Sequence, residues 1–335
     1  MTDHEKAADV QPPLFPHIPI AGMNAGTPVN GAYILKSAAI KTTAAGKPFL
    51  SAELADQSGS VAAILWNYSG PISAADEGKI AVLRGQVSDF KGALQISLEQ
   101  IRLKEPGESV DLASLVPVAP IDEAQMYAEI QALVASVHDS DYRAICEAFL
   151  QRHAEQFCSI PAAKSVHHSF VHGLLMHTGY MVKIADHLAA LYCQVVNRDL
   201  LLTGTLLHDF AKREEFTFSE LGLVAGYSTK GQLLGHLVMG AQEVCEIAQE
   251  LHVPEEKSVL LQHMLLSHHG KPEYGAAVVP MCAEAELLSL IDAIDSRMEI
   301  YRENLEDTPL GQFTDRIFAL DGRRAYCHYD PHHKK

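Results

Sequence analysis

Seven residues between positions 177 and 292 have the types and spacing to do chemistry: His177, the His208-Asp209 pair, His236, the His268-His269 pair and Asp292. Imidazole and carboxylate both bind borderline divalent cations, and intervals of about one helix plus a loop suit a site assembled from facing helices. Seven ligands exceed what one cation needs. Shared through a bridging Asp209, they would suit two cations a few ångströms apart, an arrangement that favours phosphate-ester hydrolysis. The competing reading is a scatter of surface and capping histidines, because the chain holds 18 of them.

Helices must position these groups, and the pattern supplies them only in the second part of the chain. Residues 1–24 are polar and then proline-rich (Pro12, Pro13, Pro16, Pro19), which predicts an extended leader. From 25 to 105 the reading is strands: Ala32–Ile40, Phe49–Ala55, Val61–Trp66, Ile80–Val87 and Leu94–Leu103, parted by turn signals at 45–48, 56–59 and 89–92. Five strands fit a small closed or nearly closed barrel. Residues 106–120, with Gly107, Pro117 and Pro120, read as a linker. Beyond it the period turns helical through 121–312, with a tail at 313–335. Asp122 with Gln125 opens a helix to about Val137, and His177, Met181, Ile184 and Leu188 share one helical face. Asp199 can cap the helix ending at His208-Asp209, a loop spans about Glu214 to Gln232, and Gly270 stands where a left-handed cap is needed after His269. A last helix, about Cys282 to Asn304, carries Asp292. The fold class expected is α+β: a five-stranded barrel followed by an all-α bundle.

Composition sets the limits. At 335 residues and 47% hydrophobic content the chain can bury a sizeable core, and Leu200–Leu207 and similar runs fall far short of a membrane span. Met1–Val10 is charged and lacks an apolar signal region, so a cytoplasmic location and no membrane partner are expected. The six cysteines form no C-x-x-C pair and read as reduced thiols. The net charge of −16 argues against nonspecific nucleic-acid binding by the whole surface. Residues 25–105, however, carry eight Lys/Arg against seven Asp/Glu, leaving −17 for the rest.

The barrel resembles an OB-fold, a likeness strengthened by the Asp-x-Ser-Gly turn at Asp56–Gly59 and the apolar strand ending in Trp66. OB-folds grip single strands with aromatic platforms and basic groups. The candidates are Phe49, Trp66, Tyr68 and Phe90 with Lys36, Lys47, Arg84 and Lys91. Core packing for the aromatics and solvated faces for the cations are the bland alternative. The ordered His, His-Asp and late Asp resemble the HD superfamily of metal-dependent phosphohydrolases, and His236 with His268-His269 resembles its two-metal branch.

Together the halves resemble the YhaM-type 3′-to-5′ exoribonuclease family from about residue 26 onward. The likeness rests on Gly46-Lys47-Pro48-Phe49, Pro161-Ala162-Ala163, His167-His168, Gly173-Leu174-Leu175 before His177-Thr178, the run Leu206–Lys212, Gly235-His236, Ser267–Gly270, Ile291-Asp292 and Phe313–Asp321. The resemblance implies 3′-to-5′ hydrolysis of single-stranded RNA, with single-stranded DNA as a further substrate, to nucleoside 5′-monophosphates. It also implies a homo-oligomer and two divalent ions: manganese first, with magnesium, cobalt, iron or zinc as alternatives. His177, His208, Asp209 and Asp292 would hold one ion, and Asp209, His236, His268 and His269 the other, with Asp209 catalytic as the bridge. Lys212 would neutralise a phosphate oxygen, although a helix C-terminal lysine has a dipole role of its own. His167, His168 and His172 would touch substrate or only cap their loop.

Two positions depart from the family pattern: His172 stands where a small residue is expected, and Met176 where an acidic partner of the metal-binding histidine is expected. Two other functions compete. One is a two-metal phosphodiesterase of cyclic dinucleotides or other small nucleotides, but Lys271-Pro272 replaces the Tyr-Pro of that branch. The other is a nonenzymatic single-strand-binding accessory protein, for which buried His and Asp clusters would be a costly ornament.

Overall fold

The computed structural model describes Phe15 and residues 17–90, 92–164, 168–306 and 308–329. The chain divides into two compact units between Pro117 and Val118.

In the first unit five strands, β1 (Pro28–Thr42), β2 (Pro48–Asp56), β3 (Gly59–Trp66), β4 (Ile80–Phe90) and β5 (Ala93–Leu103), close into a barrel in the order β1-β2-β3-β5-β4. Only β3 and β5 run parallel. This is the OB arrangement expected from the sequence. Each strand is somewhat longer than its apolar pattern suggests, because pairing continues past the last buried side chain. β1 is long enough to serve two neighbours: Pro28–Ile34 pairs with β4 and Ile34–Thr42 with β2, with a bulge between Leu35 and Ser37 where the strand turns the barrel's corner. Alternation puts Tyr33, Leu35, Leu50, Leu54, Leu83 and Ile96 inside. The Asp-x-Ser-Gly turn is held by the Asp56 carboxylate. It accepts hydrogen bonds from Ser58 N, Ser58 Oγ and Gly59 N, and from Ile20 N and His17 Nε2 beyond the turn.

The second unit is helical: α1 (Glu123–Ala135), α2 (Ser140–Ser159), α3 (Gly173–Leu191), α4 (Arg198–Leu207), the single turn α5 (Lys212–Glu215), α6 (Thr229–Glu250), α7 (Glu255–Ser267) and α8 (Ala283–Glu306). Phe210 lies at the centre of its core, stacked on Phe157 at 4.7 Å and edge-on to Phe149 at 5.5 Å. Asp122 caps α1 through Gln125 N, as the sequence suggests. Asp199 does not cap α4. Asn197 does, accepting from Asp199 N and Leu200 N, and the Asp199 carboxylate instead receives His138 N and Asp139 N at the start of α2. The supposed loop from Glu214 to Gln232 contains the end of α5, a hairpin of β6 (Phe216–Phe218) and β7 (Val224–Tyr227), and the first turn of α6. Strands of three and four residues are too short to leave a readable alternation. After α8 the chain folds back, packing Ile317, Leu320 and Ala325 against Ile300. Among the described residues no helix is long and apolar enough to cross a membrane.

Candidate metal centre

Five helix ends and faces bring the seven expected residues together. α3 starts where the backbone is crowded: a Cβ at Gly173 would sit 2.2 Å from His168 O. His172 before it adopts φ 64°, a left-handed conformation that explains why a small residue is expected there. One turn into α3, His177 points inward and is buried. α4 delivers His208 and Asp209 at its C-terminus. α6 is kinked at Gly235 (φ 70°, ψ 160°), and the freed amide of His236 donates to Glu215 Oε1. Gly270 has φ 75°, the predicted left-handed conformation, and ends α7 just after His268-His269. α8 contributes Asp292.

The Asp209 carboxylate lies between two groups of imidazoles. Its Oδ2 is 3.6 Å from His177 Nε2 and 3.3 Å from His208 Nε2; its Oδ1 is 3.4 Å from His236 Nε2 and 3.7 Å from His268 Nε2. Asp292 Oδ1 lies 3.4 Å from His177 Nε2. Two candidate ligand triads follow this division, His177, His208 and Asp292 on one side and His236, His268 and His269 on the other; a third, His208, Asp209 and His268, joins the two sides, and a fourth groups His168, His177 and Asp295.

Four of these rings are held by their other nitrogen. His177 Nδ1 meets Asp295 Oδ2 at 2.6 Å, His236 Nδ1 meets Glu215 Oε2 at 2.9 Å, and His208 and His268 Nδ1 donate to the carbonyls of Thr205 and Leu265 at 2.8 Å each. With Nδ1 protonated, a neutral ring presents a lone pair at Nε2. His177 and His208 Nε2 are only 3.3 Å apart. Asp209 Oδ1, His236 Nε2 and His269 Nδ1 are buried without hydrogen-bond partners. Converging acceptors with no donor between them are costly unless a cation satisfies them, so these residues fit divalent metal.

Charge is concentrated at the same place. Burial penalises the Asp209 charge, yet Lys212 and His208 hold its carboxyl well below the usual range. Burial likewise opposes ionisation of Asp292, which His177 overcomes. His177 is pushed up to about 9 because its bonds to Asp292 and Asp295 outweigh burial. Burial, reinforced by His208 and His269, drives His268 well below the ordinary imidazole value. Lys212 Nζ donates to Asp209 Oδ2 at 2.6 Å. In this structure its partner is therefore the Asp209 carboxylate, whose charge raises the Lys212 pKa against the pull of burial.

The centre opens onto a cavity of about 720 Å³, whose walls also include Ala162, Ala163, Lys164, Glu215, Tyr227, Lys271 and Tyr274. Of the histidines expected to touch substrate, His168 is fully buried behind His177, with Nε2 3.4 Å from Asp295 Oδ2. The His172 ring bonds the Cys158 carbonyl at 2.6 Å and lies outside the cavity lining. His167 lies outside the described residues. Met176 packs with Ala119 and Phe170, and the acidic partner expected in its place is supplied by Asp295. Asp295 and Glu215 were missed. Asp295 carried a signal, since it lies one helical turn after Asp292; Glu215 did not, sitting where no element was expected.

On the barrel, Phe49 and Trp66 face each other across β2 and β3 with ring centroids 5.0 Å apart, and Trp66 is 55% exposed. Phe90 is also exposed, at 58%. Tyr68, by contrast, is core: its hydroxyl accepts Ile72 N inside the unit. Lys36 pairs with Glu53 at 2.7 Å and Arg84 with Glu99 at 3.0 Å, while Lys47 is exposed at the β1–β2 turn and Lys91 lies outside the described residues.

A family model described as HD domain matches residues 174–297. The chain is 34% identical over 313 residues to a protein named 3′-5′ exoribonuclease YhaM from Oceanobacillus iheyensis, covering 92% of this chain and 96% of that one. It is 36% identical over 299 residues to a protein of the same name from Listeria innocua, covering 88% and 93%. The second OB-fold domain of replication protein A from Methanococcus maripaludis is similar at 21% identity, covering 28% of this chain and 96% of that one with a TM-score of 0.21.

Proposed function

We propose that this chain, which belongs to the YhaM family of 3′-5′ exoribonucleases, is a metal-dependent nuclease that removes nucleoside 5′-monophosphates from the 3′ end of single-stranded RNA, using two divalent cations bridged by Asp209. The observation that carries the two-cation reading is the division of Asp209: one oxygen faces His177 and His208, the other His236 and His268. Bound there, two divalent cations supply Lewis acidity and water of lowered pKa.

The chain's own groups do the rest. Asp295, Glu215 and the Thr205 and Leu265 carbonyls fix the Nδ1 protons and aim each Nε2 into the centre. His177, His208, Asp209 and Asp292 would hold one cation, and Asp209, His236, His268 and His269 the other. Lys212, on the cavity wall, keeps a positive charge beside Asp209 where negative charge gathers on the phosphate. Phe49, Trp66 and Phe90, with Lys47, Lys36 and Arg84, are the barrel's candidates for holding the strand. Single-stranded DNA offers the same phosphodiester and is a second expected substrate. Manganese is the favoured ion, and assembly into a homo-oligomer and a cytoplasmic setting are part of the reading.

Asp209→Ala removes the bridge. With 5′-labelled RNA and a series of divalent ions, wild-type protein is expected to give a ladder shortening from the 3′ end, and the variant to lose at least about 10³-fold in rate, comparable with the loss of a catalytic electrostatic group. Unchanged laddering by the variant rejects the bridged centre, and internal cleavage rejects the exonuclease direction.

A further inference from the structure

The helical unit has six described lysines, and four have a carboxylate within salt-bridge distance: Lys183 with Glu129, Lys212 with Asp209, Lys230 with Glu214 and Lys257 with Asp139. The remaining two, Lys164 and Lys271, form no such pair among the described residues, and both line the cavity over the metal centre. The lining carries Lys164, Lys212 and Lys271 against Asp209, Glu215, Glu286 and Asp292, so Lys164 and Lys271 are the ammonium groups there that no carboxylate within salt-bridge distance holds back from a phosphate.

Their surroundings point the same way. Lys164 Nζ lies 5.8 Å from the centre of the Tyr227 ring, which is itself backed edge-on by Phe216 at 5.2 Å. The aromatic face therefore steadies the ammonium without cancelling its charge. Lys271 comes two residues after His269, and its carbonyl accepts Tyr274 N to close a short turn. That turn displays Tyr274 on the cavity wall with 71% of its surface exposed. Glu215 and Glu286 are also on the wall, with Asp209 and Asp292 in the centre, so the positive charge is confined to the Lys164 and Lys271 side chains. A volume of about 720 Å³ falls in the range that takes a ligand the size of a nucleotide or dinucleotide.

We infer that Lys164 and Lys271 form a backbone-phosphate clamp at the mouth of the active site, and that the Tyr274 ring is the platform on which a base of the 3′-terminal segment stacks. This deepens the nuclease reading and rests on it. Phosphates held by lysine contribute affinity without sequence preference, and a bare aromatic face accepts any base. Tyr227 is a positioning residue for Lys164.

The test is steady-state hydrolysis of a short 5′-labelled RNA by the full-length metal-loaded protein across a range of salt. Folding is checked by thermal melting and bound-metal content. Lys164→Gln combined with Lys271→Gln is expected to raise KM at least about tenfold while kcat moves little, and to flatten the slope of log KM against log salt by about 1.4, at about 0.7 per phosphate contact on a single strand. Tyr274→Ala should raise KM about tenfold or more, whereas Tyr274→Phe should keep the wild-type KM because the ring carries the effect. Wild-type KM and salt slope in the double variant overturn the clamp. Equal losses for Tyr274→Ala and Tyr274→Phe overturn the stacking platform. Failure of the wild-type protein to hydrolyse RNA under any metal would remove the nuclease reading and the clamp with it.

Discussion

At the scale of single residues, the site is organised as much by the groups behind the histidines as by the histidines themselves. Asp295 is the strongest case, because its 2.6 Å bond to His177 Nδ1 decides which nitrogen of that ring faces the centre. Asp295→Ala removes that decision while leaving all seven proposed ligands in place. Metal content of protein dialysed against graded free manganese should show affinity lowered by about 10- to 100-fold. Asp295→Asn keeps an oxygen that can accept the Nδ1 proton and should lose less. Equal affinity in wild type and Asp295→Ala would show that α8 supports His177 by packing alone. The seven proposed ligands were legible in the sequence because imidazole and carboxylate have few other reasons to recur inside apolar helices. Glu215 was illegible because its role depends on a kink at Gly235 that frees one backbone amide, and spacing does not reveal a kink.

At the scale of elements, strand periodicity and turn residues carried most of the barrel, while the capping of α4 by Asn197 instead of Asp199 shows where local pattern runs out. Both residues suit an N-cap, and only the tertiary demand of His138 N and Asp139 N for an acceptor assigns Asp199 elsewhere. The Asp56 turn is where one side chain sustains an element. Five donors converge on its two oxygens, so Asp56→Asn would point an amide N–H₂ at some of them. The expected cost is about 2 to 3 kcal/mol of barrel stability, the worth of hydrogen bonds to a charged group, read from denaturant unfolding. The pH dependence has a definite sign. Burial works against the carboxylate, but the bonds from Ser58 and Ile20 hold its pKa below the ordinary value. A depressed folded pKa means the charge contributes fully above the unfolded value of about 3.9 and is lost as pH falls through the folded value. The gap between wild type and Asp56→Asn should therefore narrow below about pH 4. A gap that stays constant to pH 2 would mean the charge of Asp56 is not what holds the turn.

At the scale of the whole molecule, the two units differ in what they need in order to be satisfied. The barrel closes its own hydrogen-bond ladder around an apolar core, and its conspicuous buried carboxylate, Asp56, already has donors. The helical unit buries Asp209 Oδ1, His236 Nε2 and His269 Nδ1 without donors, beside a pair of imidazole nitrogens 3.3 Å apart. A cation that binds this arrangement and not the unfolded chain must stabilise the helical unit selectively. At a free concentration of about 100 times Kd the gain is about 2.7 kcal/mol, which for a unit of this size corresponds to an upward shift of roughly 5 to 10 °C. Calorimetry of the full-length protein, first stripped by chelator and then titrated with manganese, should resolve a transition that climbs with metal and another that does not move, since a chain of two compact units need not unfold in one step. Asp209→Ala should hold the first transition near its metal-free position at every concentration. Two transitions that climb together in wild type, or a shift that survives in Asp209→Ala, would place the stabilising cation somewhere other than between these histidines.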